Sequence, residues 1–184
     1  MQKLEENKIS SVLVYKGSFL KVNKDEVLLP NRKIGIREYV DHPGASVIIP
    51  ILPNNKIILI RQFRYAMESE FLEIPAGKLN ENETPLECAH RELKEECGYS
   101  AGEMKFLTTI HPAIGFSNEI MNIYFATNLK KVEQYLDEDE FLELVPIELY
   151  SAIKLIWDGV ITDAKTIIGL LWLEKKQSTI KIIK

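Results

Sequence analysis

Cysteine is scarce, with two in 184 residues. Cys88 and Cys97 lie on one predicted helix, where nine residues at 1.5 Å rise set them about 13 Å apart, beyond disulfide reach. They read as reduced thiols, consistent with the cytosol, and neither sits in a zinc-ligand spacing. Excess positive charge is lacking too: 23 Lys and Arg against 27 Asp and Glu leave a formal net charge of −4. Without a basic footprint, nucleic-acid binding is not expected as the main role. Anionic ligands are not excluded, because a local arginine or a bound cation holds phosphate on an acidic protein. No apolar run approaches the ~18 residues of a membrane span. The polar start MQKLEENKIS shows no apolar signal region. The expectation is a cytoplasmic protein with no membrane and no nucleic-acid partner.

What is present is an ordinary globular composition, 46% hydrophobic and 27% charged, in a length that buries a real core. Residues 10 to 42 read as short strands, SSVLVYKG, FLKVNKDEVLLP and KIGIREYV, separated at Gly17, at an Asn23-Lys24-Asp25 turn and at Pro30-Asn31. Such a small antiparallel sheet is marginal alone and needs a surface, either its own domain or a second subunit. HPGASVIIPILPNNKIILIRQFRY gives two strongly apolar strands around a Pro53-Asn54-Asn55 turn, and their continuous apolar runs suggest strands covered on both faces. EFLEIPAG, MKFLTTIH, EIMNIYFATNL and FLELVPI read as further strands. Two helices close the chain, one ending at Gly159 and one capped by Thr162 or Asp163. The pattern predicts an α+β protein. A strand region spans 1–42 and a main domain spans 43–184.

The chain is organised around residues 77 to 99, GKLNENETPLECAHRELKEECGY. Thr84-Pro85-Leu86-Glu87 is a capping box with proline at the first helical position. Gly98 suits the left-handed position that ends a helix, so a helix is expected over 85–97. Leu86, Ala89, His90, Leu93 and Cys97 fall on one stripe, the expected buried face, which makes His90 a core histidine. Glu92, Glu95 and Glu96 lie within roughly a 100° arc on the other side. Acidic helix faces are usually solvated. This one, however, stands at the helix C-terminus, where the macrodipole disfavours negative charge. Clustered carboxylates also suit a hard divalent cation such as Mg²⁺, which is commonly held together with substrate phosphates.

The stretch resembles the signature of the Nudix hydrolases, G-x5-E-x7-R-E-U-x-E-E-x-G-U with U apolar. It matches through Gly77, Glu83, Arg91, Glu92, Leu93, Glu95, Glu96 and Gly98, with Tyr99 departing mildly at the last position. REYVDHPGASVIIP, RQFRYAMESEFLEIPAGKL, GFSNE and DEDEFLELVPI are similar to the ADP-ribose pyrophosphatase branch, which also handles other nucleoside diphosphate sugars such as GDP-mannose. The likeness runs over roughly residues 12 to 175. It implies a Nudix-type α/β/α sandwich with a mixed sheet, plus the small N-terminal antiparallel sheet.

The resemblance also implies an activity: Mg²⁺-dependent hydrolysis of the pyrophosphate bond, with Mn²⁺ able to substitute. Catalysis of this kind is mainly charge neutralisation and positioning. Glu92 and Glu96 become the core metal ligands, Glu95 assists, and the carbonyl of Ala76 is a further ligand. Arg91 orients the glutamates and Glu83 holds the loop to the helix. In this branch the general base often comes from a late acidic loop. The run Asp137-Glu138-Asp139-Glu140 therefore offers Glu140 first and Glu138 second, against an exposed loop with no catalytic part. Arg64 binds a phosphate, or is a plain strand arginine. Arg37, Glu38 and Glu73 line the sugar and phosphate cleft. Phe19 stacks on the base, or is core. Glu119 faces the ribose from GFSNE, where Ile114 replaces the family's usual proline and puts the sugar preference in question. A homodimer is implied, with the N-terminal sheets serving both sites. The weighed alternatives are GDP-mannose or broad nucleotide-sugar hydrolysis, a non-catalytic nucleotide-sensing domain, and a nucleoside triphosphate or cap hydrolase.

Overall fold

The computed structural model describes residues 4–136 and 138–177. Asp137, at the head of the acidic run, lies outside them. Contacts divide the chain into two compact units, Met1–Gly44 with His111–Ile120, and Ala45–Ile110 with Met121–Lys184.

The first unit is an antiparallel sheet of β1 (Asn7–Lys16), β2 (Lys21–Leu28) and β3 (Ile34–Asp41), with β2 in the middle. The turn expected at Asn23-Lys24-Asp25 is absent. These residues pair with Leu13, Val12 and Ser11 on one side and with Tyr39, Glu38 and Arg37 on the other. Two-sided backbone pairing outweighs the poor strand propensity of asparagine and aspartate. The chain reverses instead at Gly17, whose N–H bonds the Leu20 carbonyl at 2.8 Å, and at Leu29–Lys33, where Arg32 takes φ 66°. Residues 111–120 join this unit through Val40, whose N–H reaches the Phe116 carbonyl at 2.8 Å.

The second unit holds two sheets. One has the order β7 (Ala76–Lys78), β4 (Ala45–Pro50), β9 (Met121–Lys131), β8 (Tyr99–Ile110), and is mixed because β4 and β9 run parallel. The other has the order β10 (Leu142–Glu148), β5 (Lys56–Arg64), β6 (Ser69–Glu73) and is antiparallel. The apolar runs of the strands feed two cores by simple alternation. Val47, Ile49, Ile57, Leu59, Ile123 and Phe125 face one side, and Ile48, Ile58, Tyr124 and Ala126 the other. Helix α1 (Pro85–Cys97) covers the second core through Ala89, Leu93 and Cys97. Helices α2 (Leu149–Trp157) and α3 (Ala164–Gln177) cover the first through Ala152, Ile153, Leu170 and Leu173. This is an α/β/α sandwich.

Two connections part company with a hairpin pattern. The turn at 53–55, with Asn55 at φ 63°, joins β4 and β5, which then enter different sheets. EFLEIPAG breaks at Ile74-Pro75 into β6 and β7, again in different sheets.

Helix α1 has the predicted ends. Thr84 and Glu87 form the capping box, and Gly98 closes it at φ 68°. Its buried side is rotated from the expected stripe. Cys88, Ala89, Glu92, Leu93, Glu96 and Cys97 are buried, whereas Leu86 is 45% exposed and His90 is exposed, not a core histidine. The buried arc therefore includes two glutamates. Hydrophobicity alone could not reveal this, because the loop of β7 packs on that side and takes their oxygens.

Candidate active site

The loop Ala76–Asn82 and helix α1 are tied together around Arg91. Its Nε and Nη2 donate to the two Glu83 oxygens at 2.7 and 2.9 Å. Its Nη1 donates to Glu95 at 2.8 Å and to Glu92, and Nη2 also reaches the Lys78 carbonyl at 2.9 Å. Glu83 in turn accepts the Asn80 N–H at 2.9 Å. One guanidinium thus serves three carboxylates and the loop backbone, a use its rigid fork of donors suits. Arg91 holds the Glu83 carboxyl down to about 2, and its own charge is strengthened by the three acids. Gly77 lets the loop lie against Glu92, since a Cβ there would displace the Glu92 carboxylate.

Glu96 lies deeper, 2% exposed, with Oε2 accepting the Ala76 N–H at 3.0 Å. Burial first, then the charges of Glu92 and Glu140, push its carboxyl well above the usual range. Burial also raises Glu92, partly offset by Arg91. Glu140 is half-buried and its charge acts on both glutamates, while Glu138 is exposed and is not among the leading charges on either. Cys88 faces the loop, its Sγ 3.5 Å from the Gly77 carbonyl, and burial lifts the thiol to about 11, so it is no nucleophile at neutral pH.

The donor set fits a hard divalent cation. Glu92 and Glu96 are buried carboxylates whose mutual repulsion, with that of Glu140, is offset in part by Arg91, Arg64 and the Ala76 amide. Among the described residues no three acidic, His or Cys side chains already stand in ligating array. Arg91 occupies an oxygen of both Glu92 and Glu95.

A second charged group in this unit joins Arg64, Glu73 and Asp163 to Lys165, a residue that no sequence pattern singled out. Arg64 at the end of β5 donates from Nε and Nη2 to the two oxygens of Glu73, each at 2.7 Å. Buried Lys165 also donates to Glu73, and to Asp163 at 3.0 Å. Asp163, expected only as a helix cap, does cap α3 by accepting the Thr166 N–H at 3.0 Å. A lysine two residues after a capping aspartate, just ahead of the apolar run IIGLLWL, was the available signal.

The remaining candidates belong to the first unit. Arg37 is bound to Glu6, with Nε donating at 2.8 Å. Phe19 is half-exposed and sets its ring edge-on to His42, centroids 5.9 Å apart. The Glu119 carboxylate stands 3.6 Å from His42 Nε2, while His42 Nδ1 accepts the Gly44 N–H at 3.0 Å. Asn118 links this loop to β3 by donating to Asp41 at 2.8 Å.

A model of the NUDIX domain matches residues 41–167, and one of the nucleoside diphosphate sugar hydrolase N-terminal domain matches residues 6–40. The chain is 38% identical over 180 residues to an ADP-ribose pyrophosphatase of Bacillus subtilis (strain 168), covering 97% of each. It is 39% identical over 176 residues to a methanol dehydrogenase activator of Bacillus methanolicus, covering 95% of each. A solved structure of an ADP compounds hydrolase superposes with a TM-score of 0.85 at 25% identity, over 97% of this chain and 98% of that one. The helix-borne glutamates in an α/β/α sandwich are thus those of a Nudix hydrolase, and the chain belongs to that family. Its N-terminal sheet places it with the members that carry the nucleoside diphosphate sugar hydrolase domain. Family membership implies a divalent metal. No described helix is long and apolar enough to cross a membrane.

Proposed function

We propose that the protein hydrolyses the pyrophosphate bond of ADP-ribose or a related nucleoside diphosphate sugar with Mg²⁺, in the cytoplasm. With ADP-ribose the products are AMP and ribose 5-phosphate. The observation that carries this is the buried Glu92–Glu96 pair, held in one unit by Ala76 and Arg91, on a chain whose other unit is of the nucleotide-sugar hydrolase type.

Glu92, Glu95, Glu96 and the Ala76 carbonyl would hold the Mg²⁺, with Mn²⁺ able to replace it. When bound, the ion neutralises the diphosphate and lowers the pKa of a bound water. Arg91 keeps Glu92 and Glu95 in orientation. Glu140 takes the proton of the attacking water, supported by its nearness in charge to Glu92 and Glu96. Arg64 turns its outer edge to a phosphate. Phe19, Arg37 and Glu119 are proposed substrate contacts of the first unit.

With Mg²⁺ and a panel of ADP-ribose, GDP-mannose, UDP-glucose, dinucleotides and triphosphates, AMP release from ADP-ribose is the expected result. Cleavage of triphosphates alone would sink the proposal. GDP-mannose is the second candidate, because Ile114 departs from the family's usual proline beside Gly115. Glu140→Gln should reduce kcat by about 10²-fold or more, the scale of general base catalysis, with Glu138→Gln near wild type. The reverse order would move the base to Glu138.

A homodimer is proposed on the exposed edge strand β1, whose Ile9, Val12, Leu13, Val14 and Tyr15 are all about half-exposed or more. Paired edges and covered apolar surface are how proteins avoid open strands. Sedimentation of a monomer with full activity would count against it.

A further inference from the structure

Lys165 is a buried lysine with no part in the activity described so far. Its side chain is 8% exposed, and it reaches Glu73 and Asp163. Lysine is almost never buried without a paired charge, and its burial costs free energy that packing alone does not return. Glu73 does not need it for hydrogen bonding, because Arg64 already gives each of its oxygens a bond of 2.7 Å. That side-on pair is complete and neutral by itself.

The ammonium is nevertheless fixed with care. Asp163 Oδ2 is shared by Lys165, by the Thr166 N–H at 3.0 Å and by the Thr166 hydroxyl at 2.6 Å. The same hydroxyl accepts the Ile74 N–H at 2.9 Å, so the first turn of α3 is tied to the residue after Glu73. Lys165, with Asp163 as its second counter-ion, therefore adds a cation to a carboxylate that Arg64 already pairs, in a frame set by main chain on both sides.

The consequence falls on Arg64. Its Nε and one Nη2 proton go to Glu73, while among the described residues Nη1 makes no hydrogen bond. The side chain is 45% exposed, and side-on pairing through Nε and Nη2 does not engage the end-on edge of Nη1 and Nη2. If Arg64 were the sole counter-ion of Glu73, its charge would be spent on that acid. With Lys165 sharing the acid, the guanidinium keeps positive charge at its open edge.

We propose that Lys165 is a positioning residue for substrate binding: with Glu73 it holds Arg64 charged and aimed, so that Arg64 grips a phosphate of the diphosphate. On this account Glu73 does not touch the substrate. The proposal rests on the phosphate role given to Arg64 above.

The test is equilibrium binding of a methylene-bridged, non-hydrolysable ADP-ribose analogue in the presence of Mg²⁺, by calorimetry, alongside kcat, KM and melting temperature. Lys165→Met should weaken binding about tenfold or more, as loss of a charge-assisted phosphate contact would. Its effect should appear in KM more than in kcat. Arg64→Met should do the same, and adding Lys165→Met to it should weaken binding no further. Lys165→Arg, which keeps the charge, should restore most of the affinity. If Lys165→Met fails to fold, Lys165→Gln takes its place. Wild-type affinity in the neutral Lys165 variant, with or without a fall in melting temperature, overturns the proposal. So does full additivity with Arg64→Met. If the wild type binds no diphosphate, or Arg64→Met binds as well as wild type, the phosphate role of Arg64 falls first and this inference with it.

Discussion

Glu96→Gln should lower kcat for nucleotide-sugar hydrolysis by about 10²–10³-fold while raising the melting temperature of the metal-free protein. The first effect follows from losing a ligand to an ion that contributes several kcal/mol of charge stabilisation, at a factor of ten per 1.36 kcal/mol. The second follows from burial. Glu96 is 2% exposed, faces the charges of Glu92 and Glu140, and has one backbone N–H as its hydrogen-bond donor. The amide of glutamine keeps an acceptor for Ala76 and removes the buried charge, whose desolvation is costly. For a chain of this size each kcal/mol gained raises the melting temperature by about 2–4 °C. Adding Mg²⁺ should then stabilise the wild type and leave the variant nearly unchanged. Thermal melts with and without Mg²⁺, beside initial rates, check both signs. Near-normal turnover would refute the metal assignment, and a lower metal-free melting temperature would refute the account of the buried charge.

Arg91→Met should instead lose both activity and stability. The guanidinium is the shared partner of Glu83, Glu92 and Glu95 and also binds the Lys78 carbonyl. Removing one partner of a buried ion pair costs about 3–5 kcal/mol, and the partial exposure of Arg91 trims this to about 2–3 kcal/mol. The loss should shrink in acid, because protonation of Glu83 removes a partner of Arg91. In the folded protein its carboxyl is held down to about 2. Its stabilising contribution is therefore present above the unfolded value near 4.3, and disappears as pH falls through about 2. Urea melts of wild type and Arg91→Met at pH 6, 4 and 3 should show the gap narrowing. A gap independent of pH would mean that the ion cluster is not its source.

The two variants divide the site into parts that were unequally legible. Residues 77–99 announced helix α1, both of its caps and the members of the glutamate cluster, because capping and spacing are local properties of the chain. The rotation of its buried face was not legible. Glu92 and Glu96 are buried because the Ala76–Lys78 strand packs over them and supplies the Ala76 N–H, a contact across 20 residues of sequence. His90 looked apolar by periodicity and is exposed for the same reason. Asn23-Lys24-Asp25 read as a turn because its residues are poor in strands, yet neighbours on both sides recruit it into β2.

The Arg64–Glu73–Lys165–Asp163 group was the least visible. Its members are nine, ninety-two and two residues apart along the chain. No periodicity links them, and only the docking of α3 beside β6 brings their charges together. The sequence by itself determined the family, the reaction class and the members of the glutamate cluster, since these are written in fixed local spacing. The tertiary structure alone decided which of those acids are buried, which arginine pairs with Glu73, and which lysine joins it there. Burial and pairing of charge depend on what packs from elsewhere in the chain, and local sequence holds no record of that.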